Sequence, residues 1–453
     1  MDNFCMKMNG ITKIVCAAAV ALVLAGCSRK QNAEEAEKTT QSEETTEMSA
    51  EEIARQEAEA QAQKEAAERD AAITAFVDSL SFREAASQLF LVNLQGNEDF
   101  APVEFEDGRA MIPGGYIFFS FNVASSPEKI IGFTDSIASY CEENALVPPY
   151  LSIDQEGGLV NRLRGITSSV PSCRTIAANY SEAEAAELYE SQARQLSLLG
   201  FHLNLAPVTE AAVDENREFL GTRSYGDAET VKKYATIAVR AYQKNGIGTV
   251  LKHFPGNTNT DPHSGLPEIK ATDELLSEMV VEPFRAVIQN GNPSAILMSH
   301  ARTSAHDCDK PACFSQYWIS DMLRGELAFQ GLIFSDDIFM AALEKNGYPP
   351  EKAVILAIEA GVDCIMLSEK RFTSVLDVLE KKATEDSSFL ARIKESARRV
   401  IRFKIESNIL GVEKAETEMG ETITKIVPVA HKNAQERLSA FVLEKQKGDS
   451  CVK

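Results

Sequence analysis

The chain has 453 residues, with 67 acidic against 46 basic side chains, a net charge of −21 and 44% hydrophobic residues. That length and apolar content suffice for a large buried core. The acidic balance argues against nucleic acid as a partner, because phosphate backbones are bound through a basic footprint.

The N-terminal stretch "MDNFCMKMNGITKIVCAAAVALVLAGC" places lysines early, then an apolar run, then Leu24-Ala25-Gly26-Cys27. The run, roughly 14 residues, is short for a membrane span of about 20, and the order is that of a secretory signal with small residues before the cut. "LAGC" also resembles a bacterial lipobox. That resemblance implies a signal peptide over 1–26, lipidation of Cys27 as the mature N-terminus, and a protein held outside the cytoplasm at the outer or cell membrane. An ordinary cleaved signal or a membrane anchor is the alternative. Residues 27–72 are rich in Glu, Ala and Gln with almost no large apolar side chains. Such a segment cannot offset its ordering entropy, so an acidic tether is expected, helical in part from about Ser49.

From 73 to 410 two kinds of segment alternate. Eight short apolar or β-branched runs recur: "QLFLVNL" (88–94), "GYIFFS" (115–120), "PYLSID" (149–154), "FHLNLAP" (201–207), "IGTVLKH" (247–253), "SAILMSH" (294–300), "GLIFSDD" (331–337) and "VDCIMLS" (362–368). Between them lie segments with helical spacing, five of which end in glycine, a common helix stop. The alternation predicts an α/β fold, a (β/α)8 TIM-type barrel forming a single catalytic domain. A doubly wound sheet is the alternative, but no G-x-G-x-x-G follows the first strand. The tail, 411–453, reads as one more amphipathic helix packed on the barrel exterior.

Active sites of such barrels gather at the carboxyl ends of the strands. Asp154 ends the third run, Lys252 and His253 the fifth, His300 the sixth, and Ser335-Asp336-Asp337 the seventh. Asp336 suits a nucleophile, a base or a metal ligand; the plainer reading is a helix cap, with Asp337 taking that part and Asp336 the chemistry. In "KHFPGNTNTDPH", Pro262 restrains Asp261 towards an extended backbone, from which its carboxylate can orient the His263 imidazole for acid/base work. The competing readings are a turn aspartate beside a surface histidine, or a metal site, which lacks compact zinc spacing. Among the cysteines, "CDKPAC" suggests a Cys308–Cys313 disulfide or two free thiols, and a metal there would also need His300 or His306. No metal and no cofactor are expected.

Five stretches resemble glycoside hydrolase family 3, specifically its single-barrel bacterial β-N-acetylglucosaminidases: "IDQEGGLVNRL" (153–163), "LNLAPVTEAAVDEN" (203–216) with "GTRSYG" (221–226), "LKHFPG…DPH" (251–263), "AILMSHA" (295–301) and "GLIFSDDIFMAAL" (331–343). The resemblance covers about 85–410 in order. It implies Asp336 as the nucleophile of a covalent glycosyl-enzyme and His263 as acid/base held by Asp261. It also implies Asp154, Arg162, Arg223, Lys252 and His253 as holders of the sugar hydroxyls. The chain departs from the family's loop at Asn257-Thr258, where His-Gly is common, at Pro262, and at Leu159, where an arginine is frequent. These departures bear on turnover and leaving-group range.

The resulting expectation is a monomeric, membrane-tethered, retaining exo-glycosidase acting on GlcNAc-containing glycans, either peptidoglycan fragments or chitooligosaccharides. Two alternatives remain open: a glycoside phosphorylase on the same residues, and a non-catalytic sugar-binding lipoprotein.

Overall fold

A computed structural model describes residues 50–453 except 105–107, 109, 262–264, 368–371, 417–421 and 431. The chain divides into two units with the boundary between Glu59 and Ala60. In the first, the described residues belong to the start of the helix Ala50–Ser79, where Arg55 and Glu59 pair at 3.6 Å.

The second unit is built on eight parallel strands: β1 (Phe90–Asn93), β2 (Gly115–Phe118), β3 (Tyr150–Ile153), β4 (Leu203–Asn204), β5 (Gly248–Phe254), β6 (Ala295–Met298), β7 (Leu332–Ser335) and β8 (Ile365–Leu367). Each pairs with the next in sequence, and β8 returns to β1 through Phe90↔Ile365 and its neighbours. The last joint, between β7 and β8, is a Phe334↔Cys364 bridge with Ser335 N donating to Cys364 O at 2.9 Å. This closed ring is the (β/α)8 barrel expected from the alternating runs.

The strands read as continuous apolar runs because both of their faces are covered. The two-residue period still sorts them. Leu91, Ile117, Val250, Ala295, Leu297, Leu332 and Phe334 fill the barrel interior, while Phe90, Val92, Tyr116, Phe118, Ile296 and Ile333 pack outward against helices. Glycine at 115 leaves room for the Tyr150 ring inside the barrel. From below, Phe403 of the helix Ser387–Glu406 packs edge-on to Tyr150 at 5.4 Å and closes the base.

Helix stops follow the glycine expectation in part. Gly200, Gly246 and Gly361 take left-handed backbones after Glu182–Leu198, Ala228–Lys244 and Pro350–Ala360. At the other two helices the left-handed residue is Asn292 or Ala328, and the segment Tyr317–Glu326 is wound with wider π-type bonds, Leu327 N reaching Met322 O at 2.8 Å. After the barrel the chain forms an antiparallel hairpin, β9 (Leu410–Glu416) with β10 (Thr422–Pro428), where only helix was anticipated. The helix Ala434–Cys451 then packs on Pro127–Glu143 and Glu182–Leu198, its Phe441 fully buried.

Candidate active site

The carboxyl ends of the strands collect the titratable side chains. Directly after β3 the chain makes a small hairpin, Gln155–Gly157 with Val160–Asn161. Gly157 and Gly158 hold positive φ there, and a side chain on either would strike Pro171 or Ser172. This tight turn presents Asp154 and Glu156 to Lys252 of β5. The Lys252 ammonium lies 2.7 Å from Asp154 Oδ1 and 2.6 Å from Glu156 Oε1, and Arg223 grips Glu156 with two bonds of 2.8 Å. Burial would raise the Glu156 carboxyl, but Lys252 and Arg223 outweigh it and hold it at about 2. Burial would likewise lower the Lys252 ammonium, yet the two carboxylates keep it above its ordinary value. Arg162 approaches Asp154 Oδ2 at 3.5 Å and lies over the Phe119 ring at 5.8 Å. Among the described residues, its Nε is buried without an acceptor.

A second cluster anchors the following loop. The Glu210 carboxylate accepts from His253 Nδ1 at 2.6 Å, from Asn257 N at 2.6 Å and from His253 N at 3.2 Å. A carboxylate partner on Nδ1 assigns the proton there and leaves Nε2 as the acceptor. Asn257, one of the departures from the family loop, thus ties the loop's base to Glu210. Beneath this loop lies a cavity of about 630 Å³ lined by Glu210, Asn257, Leu266, Ile269, Val280 and Phe284.

Asp336 ends β7, half-buried, its Oδ1 accepting Asp337 N at 2.8 Å. Asp337 does not cap a helix. Its Oδ1 accepts Phe339 N two residues on, at 3.0 Å, closing a side-chain turn. This corrects the cap assignment, because Met340 occupies the N-cap of the next helix, Ala341–Lys345. His300, buried just past β6, donates from Nε2 to the Asp337 carbonyl (3.0 Å) and meets Cys313 Sγ through Nδ1 (3.2 Å). Burial, and then the nearby Asp336 charge, push the Cys313 thiol well up. Cys308 and Cys313 are free thiols, Cys308 exposed and Cys313 buried. No group of three or more potential metal ligands occurs among the described residues.

The structure therefore brings Asp154, Arg162, Arg223 and Lys252 into one network, with His253 beside Lys252 on β5 and Asp336 at the end of β7. Asp261 is exposed, its carbonyl accepting Gly265 N at 3.0 Å. Pro262 and His263 lie outside the described residues, as does Cys27 with the whole signal region. Sequence reading missed Glu156 and Glu210. Glu156 is two residues past Asp154, and Glu210 lies in the loop that follows β4, within the quoted stretch 203–216.

Comparison with known proteins agrees with this arrangement. Residues 108–403 match the family model described as glycosyl hydrolase family 3 N terminal domain. The chain is 30% identical over 311 residues to a beta-hexosaminidase of Photobacterium profundum, covering 65% of this chain and 90% of that one. It is 29% identical to beta-hexosaminidase A of Pseudoalteromonas piscicida, over 56% of this chain and 45% of that longer protein. A solved glycoside hydrolase family 3 beta-N-acetylglucosaminidase from Paenibacillus sp. str. FPU-7 superposes with a TM-score of 0.67 at 28% identity, over 81% of this chain and 69% of that one. With the matched segment enclosing the barrel and its rim, the chain belongs to glycosyl hydrolase family 3, and its relatives here carry the name beta-hexosaminidase.

Proposed function

We propose that the protein is a retaining, exo-acting β-N-acetylglucosaminidase that releases terminal non-reducing GlcNAc from peptidoglycan fragments or chitooligosaccharides. The observation that carries this reading is the buried Asp154–Lys252–Glu156–Arg223 network, gathered on the same rim as the half-buried Asp336. Fixed charges and donors of that kind recognise a ring of hydroxyls, and they are already ordered before substrate arrives.

In the first step the Asp336 carboxylate attacks C1 and forms a glycosyl ester. The C1–O bond to the leaving sugar breaks, and His263, steered by Asp261, delivers a proton to the departing oxygen. In the second step the neutral imidazole removes a proton from water, which attacks C1. GlcNAc leaves with its β configuration and Asp336 is restored. Asp154, Arg162, Lys252, Arg223 and His253 hold the hydroxyls, His253 through the Nε2 that Glu210 leaves free to accept.

Lipidation of Cys27 would place this chemistry outside the cytoplasm, at a membrane surface, where wall fragments or environmental glycans are the accessible substrates. The protein acts as a monomer in this reading. Release of GlcNAc from an aryl β-GlcNAc, followed by NMR in phosphate-free and phosphate-containing buffer, tests the reaction. Initial formation of β-GlcNAc in both buffers is expected. An α-anomer as first product contradicts retention, and a phosphorylated sugar contradicts hydrolysis. Incorporation of labelled fatty acid, lost in Cys27→Ser, tests the anchor.

A further inference from the structure

The rim carries two exposed large apolar side chains, Phe121 and Leu159, that pack in neither the barrel core nor the sugar-holding network, while Phe119 between them and the barrel is half-buried against its interior. After β2 the chain makes a short turn, Ser120–Asn122, on which Phe121 is 60% exposed and stacks on Phe119 with ring centres 5.9 Å apart and planes 25° from parallel. The turn is stiff. Asn122 is buried, its Nδ2 donating to Leu94 O at 2.9 Å and Gly96 O at 3.0 Å, while its Oδ1 accepts Phe119 N at 3.1 Å. On the neighbouring strand's hairpin, Leu159 is 81% exposed at the tip of the glycine turn. The two loops meet through Arg162, which covers Phe119 and approaches Asp154.

The aromatic pair is thus continuous with the glycan site. It runs outward from Asp154 through Arg162 to Phe119 and then Phe121. An aromatic face held open to solvent on an immobilised turn is a preorganised apolar platform. Phenylalanine offers no hydrogen-bonding atom, so its partner must present a flat apolar surface rather than a polar edge. A pyranose ring has such a face, formed by its axial C–H bonds.

Resting on the glycosidase reading above, we propose that Phe121, backed by the half-buried Phe119 and with Leu159 on the neighbouring loop, forms an aglycone subsite that stacks the sugar ring on the leaving-group side of the scissile bond. The substrate it selects is an oligosaccharide whose second residue is itself a pyranose, and the platform contributes to binding that second ring rather than to the chemistry at C1.

The test compares two leaving groups on the full chain: chitobiose, which places a pyranose on the platform, and N-acetyl-β-glucosaminyl azide, whose leaving group has no ring. In Phe121→Ala the ratio of kcat/KM for chitobiose to that for the azide falls roughly three- to tenfold, the range of an aromatic stacking contact, mainly through KM. Phe121→Tyr restores the ratio. Because Phe121 is largely exposed, the thermal midpoint of the variant should match wild type, which separates a local effect from misfolding. An unchanged ratio overturns the subsite while leaving the glycosidase reading intact. Failure of the wild-type protein on both substrates overturns the glycosidase reading and the subsite with it.

Discussion

Two buried charge clusters lie at opposite ends of the barrel, and they differ in how completely their bonds are used. At the base, Asp363 is fully buried just before β8, with Arg324 at 2.5 Å, Arg392 at 2.9 Å, Ser396 Oγ at 3.1 Å and Ile333 N at 3.0 Å. Burial pulls the Arg324 guanidinium down to about 10 in spite of Asp363, with Arg399 and Arg392 adding repulsion. At the rim, the Asp154 carboxylate has one close partner, Lys252, and a distant one, Arg162. A cluster that joins helices to strands saturates its acceptors, whereas a cluster that meets a ligand keeps capacity in reserve. A hollow of similar volume, about 650 Å³ and lined by Arg399, Arg402 and Phe403, lies at the base. There Arg399 pairs with Glu395 at 3.0 Å and Arg402 with Asp70 at 3.1 Å, so volume alone does not locate the chemistry.

This contrast can be broken from either end. Asp336→Asn carries the largest expected effect: kcat/KM falls by about 10⁴ or more, the scale of a lost nucleophile, while the thermal midpoint stays near wild type. Asp363→Ala should do the reverse. Removing the hub leaves buried guanidinium groups unpaired and costs about 3–5 kcal/mol of stability in denaturant titration, with kcat/KM of the folded fraction unaltered. If Asp363→Ala changed kcat/KM more than stability, the division of labour between rim and base would be wrong. Glu156→Gln is intermediate, weakening the hold on Lys252 and Arg223 and raising KM about tenfold or more through one lost charge-assisted contact.

Acid sensitivity sharpens the same comparison. Glu156 has its folded pKa depressed from 4.5 to about 2, so its contribution to stability is complete above 4.5 and is lost as pH falls towards 2. Glu156→Gln should flatten that limb of the stability curve. Lys404 gives a slope of the same sign in a higher window, for a different reason: burial disfavours its charged form, whereas the ion pairs favour that of Glu156. The lysine is fully buried in the helix that closes the base, donates to Gln88 Oε1 at 2.7 Å, and is lowered by burial from 10.5 to about 7. Between about 7 and 10.5 the unfolded chain keeps a proton that the folded chain has shed, so stability rises with pH across that window. Lys404→Met should remove the slope, measured by urea unfolding at pH 7 and pH 9.

The barrel was legible because each strand is a short apolar run bounded by turn residues and buried on both faces. "SAILMSH" contains Ala295–Met298 and "GLIFSDD" contains Leu332–Ser335. The hairpin β9–β10 was not, since "LGVEKAE" alternates small, charged and apolar residues with most positions exposed, leaving no buried face to detect. Within the site, Asp154, Lys252, His253 and Asp336 stood out as polar residues ending apolar runs. Glu156 and Glu210 did not, because turns place them rather than strands. Gly157 and Gly158 fold Glu156 back beneath Lys252, and Glu210 follows the short bridge Val208↔Lys252. A charged residue on a turn has the same local sequence whether it faces solvent or a buried lysine.

The central claim is that Asp336 carries the sugar. A 5-fluoro-β-GlcNAc aryl glycoside, slow to turn over because fluorine destabilises the oxocarbenium-like transition state, should accumulate the intermediate. Intact-protein mass spectrometry followed by peptide mapping then reads it directly. The account predicts one fluorosugar adduct per chain on the peptide containing Asp336, absent in Asp336→Asn. An adduct on another residue, or steady turnover with no adduct, would contradict it.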